Sequence, residues 1–275
     1  MMSGRPLLPK FGVWVFPAAG ALALVDAVVR ADRAGVDELW LADEGVMREP
    51  SVVLAAAAAQ TARIRLGVGI TSPMLRHPGA SAATWLTLDE LSDGRAMLGF
   101  GLGGELSLAP FHLTVERPVA VMRNAICTAR AVITRTESEQ YVVMPHAAPA
   151  RNVPIFVASK GEQINRLASR EADGVLLSGF RLGDLAQPVR WARSVRAVHV
   201  ALYASARYRV DAPTDPTSLV GTPAQVADGL VALAREHRPE SIGVALVDGD
   251  AIDVMMGRAI ETMTIFRERW QSTGD

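Results

Sequence analysis

The stretch IRLGVGITSPMLRHPGASAATWLTLDELSDGRAMLGFGLGGE, Ile64 to Glu105, decides how this chain folds. Its apolar runs Ile64 to Ile70 and Ala96 to Phe100 are short, continuous and bounded by turn residues. That pattern suits strands buried on both faces of a parallel sheet. Between them Pro78 to Leu91 reads as a helix, so the unit is strand, helix, strand. Side chains on such strands meet solvent only at the strand ends, and chemistry is confined there. Gly67 and Gly69 on the first strand, and Gly99, Gly101, Gly103 and Gly104 on the second, are expected to let a flat ligand lie close to the main chain.

Outward from this unit the same alternation repeats. Strands are expected at Phe11 to Phe16, Glu38 to Asp43, Ile64 to Ile70, Arg95 to Gly101, Pro154 to Ala158, Gly174 to Ser178, Val198 to Tyr203 and Ser241 to Val247, each followed by a helix. Thr222 before Pro223 is a good helix start, a capping side chain with proline at the first helical position. The helix after the sixth strand carries Pro188 and is the least regular. Strict alternation argues a parallel α/β sheet, and eight units in 275 residues suit a (β/α)8 barrel better than an open doubly wound sheet. No linker or low-complexity tract divides the chain, and Met144 to Pro154 reads as the loop entering strand five. Residues 1–275 are therefore expected to form a single domain.

The totals exclude several classes. The 28 basic and 29 acidic residues nearly cancel, which leaves no electrostatic footprint for nucleic acid. The longest apolar run, Val52 to Ala59, is far short of the roughly 20 residues a bilayer needs, so no membrane association is expected. The start, MMSGRPLLPKFG, lacks an apolar signal core, and a cytoplasmic location is expected. The one cysteine, Cys127, reads as a buried structural thiol in a helical stretch. The histidines are scattered without metal-ligand spacing, and no metal site is expected.

A barrel places its active site on the loops that follow the strands. Four features there carry chemistry, each with a plainer alternative. Gly99 to Gly104 formally fits a dinucleotide fingerprint, but no clear helical stripe follows it; a bare flexible turn and close backbone approach to a ligand are the other readings. Ser159, Lys160 and Gly161 precede a helix whose free N–H groups and positive dipole end attract an anion; the alternative is a loop with a solvated lysine. Asp43 and Glu44 close strand two, where a buried carboxyl beside a second negative charge keeps its proton to higher pH. A turn cap and a solvated acid would be the alternative. Arg76 and His77 before Pro78 read mainly as a helix entry. Asp89 to Arg95 reads as structural, with Gly94 ending its helix in the left-handed conformation.

Four segments together resemble the luciferase-like monooxygenase superfamily, in particular its deazaflavin-dependent branch that includes methylenetetrahydromethanopterin reductase. They are TARIRLGVGITSPMLRHP, TLDELSDGRAMLGFGLGG, VPIFVASKGEQINRLASREADGVLLSG and VGTPAQVADGL, and they span nearly the whole chain in the same order. The resemblance implies a (β/α)8 barrel that binds coenzyme F420, or alternatively FMN, at the carboxyl ends of its strands. It implies a bulge on strand three at Gly69 and Ile70, often with a non-prolyl cis peptide, backing the ring with Thr71 and Ser72 beside it. It assigns the phosphate to Ser159, Lys160 and Gly161, and brings Gly101 and Gly103 near the ring or tail. Many deazaflavin members have Asp-His at the end of strand two, where this chain has Asp43 and Glu44, so Glu44 becomes the candidate proton donor. The expected activity is hydride transfer between F420 and a small organic substrate. An FMN-dependent monooxygenase and a non-catalytic flavin-binding barrel are the alternatives. The resemblance also implies a homodimer, for which the apolar second helix is one candidate face.

Overall fold

A computed structural model describes residues 7–209 and 215–272. Strands β1 (Lys10–Val15), β2 (Glu38–Leu41), β3 (Arg65–Val68), β4 (Ala96–Phe100), β5 (Ile155–Ala158), β6 (Gly174–Ser178) and β7 (His199–Arg207) follow one another around a ring. The short β8 (Ser218–Val220) and then β9 (Ser241–Leu246) come last in sequence, and β9 closes the ring between β7 and β1. Among the described residues every pairing between these strands is parallel, and eight of the nine strands make the closed (β/α)8 barrel. The helices outside are α1 (Ala21–Ala34), α2 (Pro50–Ala58), α3 (Pro78–Leu91), α5 (Pro118–Thr134), α6 (Glu162–Glu171), α7 (Ala186–Ala192), α8 (Pro223–His237) and α9 (Ile252–Ser272). A single turn, α4 (Glu105–Leu108), follows β4.

Local chemistry places the ends as expected. Thr222 and Gln225 form a reciprocal capping box at the start of α8, which satisfies two N–H groups that the helix leaves free. Gly94 takes φ +82° after α3. Arg95 then donates to the carbonyls of Ala58, Thr61, Ile64 and Ser92, pinning the turn before β3 to the turn before β4. Among the described residues no helix is long and apolar enough to cross a membrane. Met1 to Pro6, half of the N-terminal stretch read above, lie outside the described residues.

Three expectations are corrected. β7 runs to Arg207 rather than Tyr203, because its last residues pair with β8, a strand too short and turn-flanked to show a pattern. Cys127 is exposed, not buried. Met122, Ala125, Ile126, Ala129 and Ile133 take the inward stripe of α5 at helical spacing, which turns Cys127 outward between Arg123 and Arg130. The third concerns the glycines of the opening stretch. A Cβ on Gly67 would stand 2.4 Å from the Trp40 ring, and one on Gly69 would stand 2.9 Å from Trp14. Gly67 therefore makes room for an indole rather than for a ligand. The barrel interior is a packed layer of Trp14, Trp40, Met97, Phe156, Leu176 and Tyr203, as expected for a barrel of eight strands.

Candidate active site at the carboxyl end of the barrel

β3 leaves regular pairing at Gly69. The Gly69 N–H still donates to Leu41 O (2.7 Å), and pairing with β4 resumes at Thr71, whose N–H donates to Gly99 O (2.8 Å). Between the pairs Gly67–Met97 and Thr71–Phe100, β3 advances four residues while β4 advances three. One extra residue on one strand is a β-bulge, and it re-aims the side chains that follow. The Val68 carbonyl comes so close to Gly99 that a Cβ there would lie 2.4 Å from its oxygen, so the bulge requires glycine at 99. Among the described residues all peptide bonds are trans. The bulge at Gly69 and Ile70 thus stands without the cis bond that the resemblance suggested.

Beyond the bulge lies a cavity of about 100 Å³. Trp14, Phe16, Asp43, Glu44, Ile70 and Ser72 line it, with Gly103, Gly104, Ser107 and Ser178 on the far side. Among the lining residues the buried Trp14 Nε1–H has no hydrogen-bond partner within the described residues; the buried Thr71 hydroxyl, next in sequence to Ile70 and Ser72, also lacks a well-formed bond but lies close to Asp43. A buried polar group left unpaired costs about 1–3 kcal/mol, and a ligand with polar edges would relieve that. Ser72 ties the bulge to the loop after β4, donating to Leu102 O (2.7 Å) and accepting from the Met74 N–H (3.1 Å).

Asp43 and Glu44 follow β2 and are both half-buried. Burial holds the Asp43 carboxyl above the ordinary carboxylate range, and the nearby Glu49 adds to this; Thr71 and Arg76 pull the other way. The Thr71 hydroxyl lies near enough for that influence without a well-formed hydrogen bond. Burial alone raises Glu44. Both acids therefore keep a proton to higher pH than solvated carboxyls, which suits proton transfer beside the cavity.

The other proposed residues divide. Ile70, Ser72 and Gly103 line the cavity. Gly101 is buried behind it, where a Cβ would meet Ile70 Cδ1 at 2.2 Å. Gly103 takes φ +90°, and Gly104 caps α4. That one-turn helix runs into a 3-10 turn, Ala109–Phe111, and the sheet is closed, so the fingerprint reading of Gly99 to Gly104 does not describe it. Ser159, Lys160 and Gly161 lead into α6, whose N-terminus no side chain caps. Asn165 braces this loop by donating to the carbonyls of Ser159 and Gly161 (3.0 and 2.8 Å). Lys160 is exposed, but its ammonium is tied to the neighbouring strand: Nζ donates to Ser178 O (2.7 Å), lies 4.3 Å from the Phe180 ring centroid, and partial burial lowers its pKa. His77 accepts from the Gly79 N–H at the start of α3, the plain helix-entry role. Trp14, Phe16 and Ser178 were missed. Trp14 on β1 and Phe16 just after it face the same inner layer, a pattern visible only once the barrel is closed.

Residues 7–211 match the family model described as luciferase-like monooxygenase. The chain is 25% identical over 273 residues to the 5,10-methylenetetrahydromethanopterin reductase of Methanolobus tindarius, covering 92% of this chain and 84% of that one. It is 29% identical over 181 residues to the F420-dependent glucose-6-phosphate dehydrogenase of Kineococcus radiotolerans, a match that spans 59% of this chain and about half (54%) of the relative. Its fold superposes with a TM-score of 0.78 on the coenzyme F420 dependent tetrahydromethanopterin reductase of Methanopyrus kandleri, at 19% identity, covering 94% of this chain and 100% of that one. With the family match spanning most of its length, this chain belongs to the luciferase-like monooxygenase family.

Proposed function

We propose that this protein is an oxidoreductase that moves a hydride between bound coenzyme F420 and a small organic substrate. The observation that carries the reading is the pairing of two proton-retaining carboxyls, Asp43 and Glu44, with a bulge-floored cavity lined by the unpaired Trp14 N–H. F420 would supply the hydride acceptor or donor, and the protein would supply position, protons and exclusion of water. The cavity of about 100 Å³ is below the roughly 300–1,000 Å³ usual for ligand pockets, so it would hold only part of the ring, with Ile70 on the bulge behind it. The Trp14 N–H would be available to a polar edge of the ring. The uncapped N–H groups of α6, with Ser159 and Gly161, hold the phosphate, and Lys160 adds positive charge from the same loop. Glu44 holds the exchangeable proton. The likeness to relatives named for F420 favours that cofactor over FMN, and the family's own description keeps FMN as the second reading.

The outer face of α2 exposes Val52 together with Ala56, small apolar groups suited to close packing against a second copy. We take the working form to be a homodimer in the cytoplasm. Fluorescence titration with F420 and with FMN tests the cofactor: F420 should bind at micromolar concentration or better. A preference for FMN would shift the reading to the monooxygenase, and failure of both would leave a non-catalytic barrel. Glu44→Gln should keep F420 affinity and slow substrate-dependent reduction of the bound cofactor by about 10²–10⁴-fold; unchanged turnover would remove Glu44 from the chemistry.

A further inference from the structure

A second cavity, about 530 Å³, opens beside the first, and the two share Asp43. Its size falls within the roughly 300–1,000 Å³ usual for ligand pockets. Val46, Met47, Met74, Leu75, Phe111 and Leu113, from the loops after β2, β3 and β4, form its walls. Four of these, Val46, Met47, Leu75 and Phe111, are exposed. Apolar surface gathered in a concavity next to a polar site marks a place where an apolar group docks. The backbone reinforces this. Val46 sits at φ +56°, directly after Gly45 at +64°. A β-branched residue rarely adopts that conformation, and such strain persists where a site requires it.

Charge sharpens the reading. The ionisable residues lining this cavity are Asp43 and Glu49, both acids. Two arginines flank the lining without joining it: Arg76 is 3.5 Å from Glu49 and donates to the Thr84 hydroxyl (2.7 Å), and Arg48, between Met47 and Glu49 in sequence, donates to the Ala18 carbonyl (2.6 Å). A phosphorylated substrate entering here would meet two carboxyls and, among the described lining residues, no cation, an arrangement that disfavours anions. Met47 and Met74 add flexible, polarizable walls that accommodate varied apolar shapes.

We propose that this cavity is the substrate chamber, and that it takes an uncharged, largely apolar molecule whose single carbonyl or hydroxyl meets Asp43, while excluding sugar phosphates. The proposal rests on the hydride-transfer reading of the adjoining cavity for its meaning, but binding can be measured without turnover. The experiment is ligand-observed NMR and calorimetry on the full chain, with and without F420, using 2-nonanone and glucose 6-phosphate as probes. 2-Nonanone should bind and glucose 6-phosphate should not. Met47→Glu and Phe111→Ser, both at exposed positions, should each weaken 2-nonanone at least tenfold and leave F420 affinity unchanged. Binding of glucose 6-phosphate, or 2-nonanone binding that neither variant alters, overturns the proposal. If Met47→Glu instead converts a dimer to monomer without changing probe binding, the apolar face is a self-association surface and the chamber is wrong. If F420 fails to bind while both variants still lose 2-nonanone, the chamber stands and the hydride-transfer reading falls. If F420 binds and 2-nonanone does not, the chamber alone falls.

Discussion

β2 carries carboxyl groups at both of its ends, and the two ends treat them differently. At the entry, Glu38 has no exposed surface, and its Oε1 accepts from Tyr203 Oη (2.7 Å) and from Trp40 Nε1 (3.3 Å). Burial and the Glu38 charge keep the Tyr203 phenol protonated far above its usual range, so it stays a donor. At the exit, Asp43 and Glu44 are half-buried and face a cavity in which the Trp14 N–H has no partner among the described residues. The same kind of group is a buried hydrogen-bond acceptor at one end of the strand and, just past the other, a half-buried acid that holds its proton to higher pH. The difference lies in whether aromatic neighbours close over the carboxyl. It matches the general division of such barrels, stability at the amino end of the strands and chemistry at the carboxyl end.

If the entry end is structural, breaking it should cost stability. Trp40 is fully buried, meets Phe156 edge to face at 5.0 Å between ring centroids, fills the space that Gly67 leaves, and donates to Glu38. Trp40→Ala should destabilise the fold by about 3–5 kcal/mol, by lost burial and a cavity that cannot collapse. Denaturant unfolding measures this, and a loss below about 1 kcal/mol would mean the interior is loosely packed. A smaller effect is expected for Tyr203→Phe, which removes one donor from Glu38 while keeping the ring against Trp14 at 5.9 Å. A buried acceptor deprived of its donor costs about 1–3 kcal/mol, read as a shift of the unfolding midpoint. An unchanged midpoint would mean that the Glu38 bond is neutral to stability.

The order of strands and helices was legible because it rests on local patterns, apolar runs of strand length, a threonine cap before Pro223, and Gly94 after α3. The place of Asp43 and Glu44 beside the cavity was legible too, since the end of a strand fixes where its next residues stand. What the glycines faced was not legible. Gly67 answers to Trp40 and Gly101 to Ile70, and those neighbours are set by the barrel's register rather than by adjacent sequence. Trp14 was not singled out for the same reason: that it lines the cavity follows from which side of β1 faces the barrel interior, and closure of the ring sets that. Lys160 stands on the loop before α6 as read, yet its ammonium is held by the Ser178 carbonyl across the β5–β6 edge, a long-range contact that no spacing encodes.

The smallest expected effect is the one that most directly separates the two ends of β2. Burial holds the Asp43 proton in the folded chain more tightly than in the unfolded one, where a carboxyl titrates near about 3.9. Below that value both states are protonated and Asp43 costs nothing. As pH rises, the unfolded chain releases the proton first, so the folded state loses relative stability until pH passes the raised folded value; the loss then persists at pH 7. Asparagine has no proton to release. Asp43→Asn should therefore match the parent at the acid end of the fold's range and exceed it at pH 7, by less than about 1 kcal/mol because the group stays partly solvated. On a chain of this size that is a rise of about 2–4 °C or less in Tm. Thermal unfolding of both proteins at several values between pH 4 and pH 7 reads the difference. A variant less stable than its parent at pH 7 would mean that Asp43, like Glu38, is held by bonds the fold needs, and the contrast between the two ends of β2 would fail.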